Sequence, residues 1–125
     1  MRLSIAWLFV VLLLAGCGSD TRSLRVTATA YTSSPAETQG DPTLAAWGDR
    51  LQPGMKAVAV SRDLLEEGLG RGTEIEIEGL DGRYVVLDKM HRRWTRKIDI
   101  YMGNDRGAAR AWGRRQVEIR WDEDD

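Results

Sequence analysis

The chain opens with an apolar run from Ile5 to Ala15, and beyond it apolar and polar residues alternate in short segments. Arg25 to Tyr31, Lys56 to Val60, Thr73 to Glu78, Tyr84 to Asp88, Ile98 to Tyr101 and Gln116 to Trp121 each follow a period of two and are rich in Val, Ile and Thr. That period belongs to strands with one buried face. Helical spacing appears twice. Ser61 caps a short helix that runs through Leu64 and Leu65 to Gly68, with Asp63 in its first turn. Asn104 or Asp105 caps a second one, in which Ala108 and Trp112 lie one turn apart and Gly113 ends the helix. Leu80-Asp81-Gly82 supplies a hairpin turn between the third and fourth strands. Six short strands and two short helices in roughly 100 residues predict a mainly β fold, a small closed barrel. Neither a repeat nor a linker divides it.

The stretch Tyr84 to Tyr101 departs from a plain strand–loop–strand pattern. Asp88 closes one apolar run, and Asp99 sits between Ile98 and Ile100 in the other. Parity places Asp99 on the face opposite the isoleucines, where it can look into a groove. The loop between the two aspartates holds His91, Arg92, Arg93 and Trp94, too basic for core and too aromatic for an ordinary solvated turn. A second long loop, Thr32 to Gly54, is rich in Ser, Pro, Gly and Asp, with Leu44, Trp47 and Leu51 its large apolar residues. Loops of that length in small domains are often functional.

The first residues change the picture of location. Arg2, the apolar run and Gly16-Cys17 have the layout of a secretory signal peptide, and the run is short for a permanent span. Leu14-Ala15-Gly16-Cys17 also resembles the bacterial lipobox, in which cleavage leaves Cys17 as a lipidated terminus. Gly18 follows it where an aspartate would favour inner-membrane retention, so the expected location is the periplasmic side of the outer membrane of a Gram-negative bacterium. The expected organisation is a signal peptide over 1–16, lipidated Cys17 and a polar tether over 17–24, the barrel over 25–121 and an acidic tail over 122–125. Cys17 is the only cysteine, so no disulfide forms within the chain. Without the leader and its Arg2, 17 basic residues face 19 acidic ones, a balance that does not predict a nucleic-acid partner. His91 is the only histidine, which speaks against a structural zinc site. The expectation is no metal and no cofactor.

Val26-Thr-Ala-Thr-Ala-Tyr31, Val58-Ala-Val60, Gly72-Thr73, Val86-Leu87-Asp88, Ile98-Asp99-Ile-Tyr-Met102 and Ala108-Ala-Arg-Ala-Trp-Gly113 resemble, in order and spacing, the three-aspartate domain of bacteria. That is the double-psi β-barrel domain found at the C-terminus of membrane-bound lytic transglycosylase A and in cell-wall-active proteins of Gram-positive bacteria. The resemblance covers about Val26 to Trp121. It implies a six-stranded double-psi barrel, action on peptidoglycan, Asp99 as the catalytic acid/base and Asp88 as its partner. The chain departs from the family in having Lys89-Met90 after Asp88 where Asp-Thr-Gly is common, and Ser61 where a third aspartate falls, with Asp63 two residues on. The larger second domain of the transglycosylase has no counterpart here.

Glycosidic cleavage needs a carboxyl group that stays protonated long enough to donate to the leaving oxygen. In lytic transglycosylases one such group suffices, as the resemblance implies, because a hydroxyl of the muramic acid attacks internally. Around the aspartates, Tyr31, Trp47, His91, Arg92, Trp94 and Tyr101 are candidate contacts to a glycan strand: aromatic rings for sugar faces, and Arg92 with its neighbour Arg93 for the lactyl or stem-peptide carboxylates. Each also has an ordinary role in packing or in a solvated loop, whereas Trp112 and Trp121 sit at core spacings. Three functions stay open: an enzyme of lytic transglycosylase type, a non-catalytic module that binds peptidoglycan, and a scaffold lipoprotein that contacts an envelope protein through the Arg-rich helix from Asp105 to Arg115.

Overall fold

The computed structural model describes residues 20–33, 41 and 43–123. The leader, Cys17 and the end of the acidic tail lie outside the described residues. In chain order the elements are β1 (Thr21–Tyr31), β2 (Ala57–Val60), α1 (Arg62–Leu65), β3 (Glu74–Ile77), β4 (Arg83–Lys89), β5 (Lys97–Tyr101), α2 (Arg106–Trp112) and β6 (Arg115–Asp122). These are the six strands and two helices that the alternation predicts, with small differences at the ends. The largest is at β1, which begins at Thr21 and so takes in the stretch expected to be a tether. Thr21 to Leu24 pair in antiparallel register with Asp122 to Ile119, so these residues and Asp122 of the tail belong to the sheet.

The strands close into a barrel in the order β1-β5-β2-β4-β3-β6. Two of its pairings are parallel, β1 with β5 and β2 with β4, and both are made by strands distant in sequence. Alternation fills the interior. Val26, Ala28, Val58, Val60, Ile75, Val86, Ile98, Ile100 and Ile119 point inward and are buried, joined by Leu64, Leu69, Trp112 and Trp121. Each Ile or Val so buried contributes roughly 1.5–3 kcal/mol. The Trp112 indole also donates to the Ala28 carbonyl at 3.3 Å, which ties α2 to β1.

The helix ends follow their sequences unequally. Asp105 caps α2, its carboxylate accepting from Ala108 N at 2.9 Å, and Gly113 ends the helix at φ 71°. Ser61 stands at the start of α1, but its side chain makes no cap. The Ser61 hydroxyl is buried and accepts instead from Lys97 N, at 3.0 Å, joining the two strands' ends.

Candidate functional site

A second, smaller apolar cluster lies on the outer face of the sheet. Ala45 and Leu51 of the long loop cover Ala57 of β2 and Tyr101 of β5, with Tyr31, Met55 and Leu87 packed against them. The described part of that loop is ordered by its own backbone bonds, Ala45 N to Asp49 O at 2.8 Å and Leu51 N to Thr43 O at 2.7 Å, and by ion pairing of Asp41 with Arg50. One end of the outer face is therefore closed. The middle is open, and both aspartates lie there.

Their placement follows from register. Asp99 of β5 pairs with Thr29 of β1 on one side and with Ala59 of β2 on the other. Ala59 in turn pairs with Asp88 of β4. Paired residues share a face, so Thr29, Asp99, Ala59 and Asp88 form one row across four strands. Strict alternation would not allow this, because Val86 faces the core and Asp88 shares its parity. The register between β2 and β4 shifts there: Val58 pairs with Val86, but Ala59 pairs with Asp88, and Leu87 is the extra residue. This bulge turns Asp88 to the outside, as bulges re-aim side chains elsewhere.

Around the row is a groove of about 250 Å³ lined by Tyr31, Thr32, Ala59, Asp88, Lys89, Met90, His91, Trp94 and Asp99. A larger depression, about 610 Å³, lies beside the β3–β4 turn, but of its charged lining residues Glu76, Glu78, Arg83 and Arg120 are exposed, and Arg83 with Glu76 and Arg120 with half-buried Glu118 pair among themselves. The smaller groove is the one in which buried polar groups converge. Asp88 accepts from Ala46 N at 2.8 Å and Lys89 N at 2.9 Å, so the long loop is docked on its carboxylate. Burial raises the Asp88 pKa, while these two hydrogen bonds and the nearby Lys89 cation oppose the rise. Asp99 accepts from the Thr29 hydroxyl at 3.0 Å. The Tyr31 phenol is pushed far up, first by burial and then by the charges of Asp88, Asp99 and Tyr101, and its oxygen is buried with no hydrogen-bond partner among the described residues.

Of the residues predicted for the site, the groove brings together Tyr31, Asp88, His91, Trp94 and Asp99. Trp47 stands beside it with the Lys89 ammonium 5.4 Å from its ring. Arg92 is exposed and outside the lining, and Tyr101 is buried below it, bonded to the Ser33 hydroxyl and tilted against Tyr31 with ring centroids 5.5 Å apart. Asp63 lies elsewhere: its carboxylate accepts from Arg96 N at 2.9 Å and holds the turn before β5. Thr29, Thr32, Ala59, Lys89 and Met90 were not anticipated. Their place depends on pairing between distant strands, and only Thr29, of the same parity as Tyr31, carries a signal in the sequence.

No protein-family model matches the chain, and no curated protein sequence matches it. Among solved structures it is similar to the apo expansin of Clavibacter michiganensis, with a TM-score of 0.54 and 21% identity over 83% of this chain and 52% of that one. The fold is a double-psi β-barrel. A mutant of that expansin in complex with cellohexaose gives a TM-score of 0.48 at 21% identity, covering 80% of this chain and 49% of the other. The chain spans about half the length of these structures. The closed six-stranded barrel agrees with the double-psi fold that the three-aspartate resemblance implies, and the two short helices with the sequence pattern.

Proposed function

We propose that this barrel binds glycan strands of the bacterial cell wall, peptidoglycan above all, in the groove over Asp88 and Asp99. The row of these two carboxylates about Ala59, open between the Trp94 loop and Tyr31, carries the proposal. Both carboxylates are oriented by hydrogen bonds, and an oriented carboxylate accepts well from sugar hydroxyls. The barrel fold shared with an expansin, and the three-aspartate motifs, also support a polysaccharide ligand. The lipobox leader would deliver the domain to the periplasmic face of the outer membrane, where such strands lie.

Cleavage of the strand, of lytic transglycosylase type with Asp99 as acid/base, is the second reading. The observation in its favour is that Asp88, whose pKa burial raises, lies on the same row as Asp99. The full chain in a nonionic detergent, and its Asp99→Asn variant, would be incubated with purified sacculi and the soluble products analysed by mass spectrometry. Co-sedimentation with sacculi and no released muropeptides is the expected result. Anhydro-muropeptides from the wild type alone would establish the transglycosylase instead, and ordinary reducing ends a hydrolase. A chain that neither sediments nor releases anything has no glycan function.

A further inference from the structure

Beside the aspartate row, the outer face of β5 carries a second group of charges. Lys97 shares that face with Asp99, two residues away, and is 7% exposed. Its ammonium lies 3.6 Å from the centroid of the Trp94 ring, and the Arg93 guanidinium lies 5.0 Å from the same ring. The indole thus gathers two cations onto one side chain. Arg114, just after α2, adds a third: its charge and that of Arg93 bear on Lys97, which burial first and these like charges next make a weaker base, with Asp99 opposing them. Among the described residues, no ion pair engages Arg93, Lys97 or Arg114, a condition they share with other cations such as Arg92 and Lys89. Lys97 is a buried cation crowded by two exposed ones, an arrangement that a bound anion would relieve.

We infer that Arg93 and Lys97 at the Trp94 ring, with Arg114 near Lys97, form an anion subsite that takes a sugar carboxylate of the glycan strand lying over Asp99. This rests on the glycan reading proposed above and adds its chemical specificity: a neutral sugar would satisfy the aspartate row but leave the cations uncompensated. In peptidoglycan the lactyl ether of muramic acid supplies such a carboxylate. Arg93 and Arg114 are exposed, so they can close on it while Lys97 stays fixed beneath the indole. The carboxylate needs a charge-assisted hydrogen bond from each.

The probes are N-acetylmuramic acid and N-acetylglucosamine, which differ by the lactyl group, with inorganic phosphate as a third ligand. They would be titrated into the full chain in a polyoxyethylene detergent, following the Trp94 indole N–H and the Ala59 and Asp99 amides by NMR. The acid sugar should move the Trp94 signal and bind about tenfold more tightly than the neutral one. The Arg93→Gln/Arg114→Gln double variant, whose changes lie outside the core, should lose that preference and keep the Ala59 and Asp99 shifts. Equal affinity for the two sugars, an unaltered preference in the double variant, or phosphate binding as tightly as N-acetylmuramic acid would overturn the subsite. If neither sugar moves Ala59 or Asp99 while an anion still moves Trp94, the glycan reading fails by itself and the carboxylated-sugar assignment falls with it.

Discussion

Asp88 and Asp99, on strands that do not touch, both pair with Ala59 and so face each other across the single strand β2. Their backbones stand roughly 10 Å apart, two strand spacings, and the small Ala59 side chain leaves the space between the carboxylates open. A leucine there would fill it from the groove side, because position 59, although only 5% exposed, lines the groove and not the barrel interior. Ala59→Leu should weaken sacculus binding about tenfold or more, while the melting temperature changes by no more than about 4–8 °C, the equivalent of 1 kcal/mol in a domain of this size. Co-sedimentation and thermal melting would check it. Unchanged binding would mean that the ligand does not enter between the aspartates.

The barrel was legible because its strands alternate: Ile98 and Ile100 are buried and Asp99 is not, as parity requires. Asp105 and Gly113 bound α2 as their residue types predict. The site was legible at Asp99 for the same reason. Asp88 was harder, since the bulge at Leu87 that turns it outward leaves no mark in the local sequence and arises from pairing β4 with the distant β2. Tyr101 shares the face of Asp99, and only the fold of the 43–55 loop over it decides that it is packed rather than open. Thr21 to Leu24 read as a tether because nothing local reveals β6 as their partner.

Tyr31 carries a polar atom that the fold buries and leaves without a partner among the described residues. An unsatisfied buried hydroxyl costs about 1–3 kcal/mol. Tyr31→Phe keeps the ring against Tyr101 and removes the orphan, so the variant should melt higher by about 4–8 °C for each kcal/mol recovered. A lower melting temperature would show that the hydroxyl is satisfied in the folded protein.

Asp63 bonds to the backbone of Arg96, which adopts a left-handed conformation at φ 46°. Such a residue is disfavoured and needs support from its surroundings. Asp63→Ala should therefore destabilise the fold by about 1 kcal/mol, seen in urea denaturation, with sacculus binding per folded molecule unchanged. Reduced binding at full stability would instead make Asp63 the third aspartate of the site.

The raised pKa of Asp88 fixes the sign of a pH effect. Burial is the largest cause, so the native state binds this proton more readily than the unfolded chain does. The group's contribution to stability is then fully present below its unfolded value, near 3.8, and is lost as pH rises through the higher folded value. Asp88→Asn cannot ionise, yet its side-chain oxygen can still accept from Ala46 N and Lys89 N. The variant should thus be the more stable protein at pH 7, and its advantage should shrink steadily as pH falls toward 4. Asp41 and Asp49, whose pKa values are lowered by their own hydrogen bonds, give the opposite slope but are common to both proteins and cancel in the comparison. Melting temperatures of the pair, taken from pH 7 to pH 4, measure the difference directly. A variant less stable at pH 7, with the gap closing in acid, would mean that the two amides and Lys89 outweigh burial, and that Asp88 is held as a carboxylate throughout.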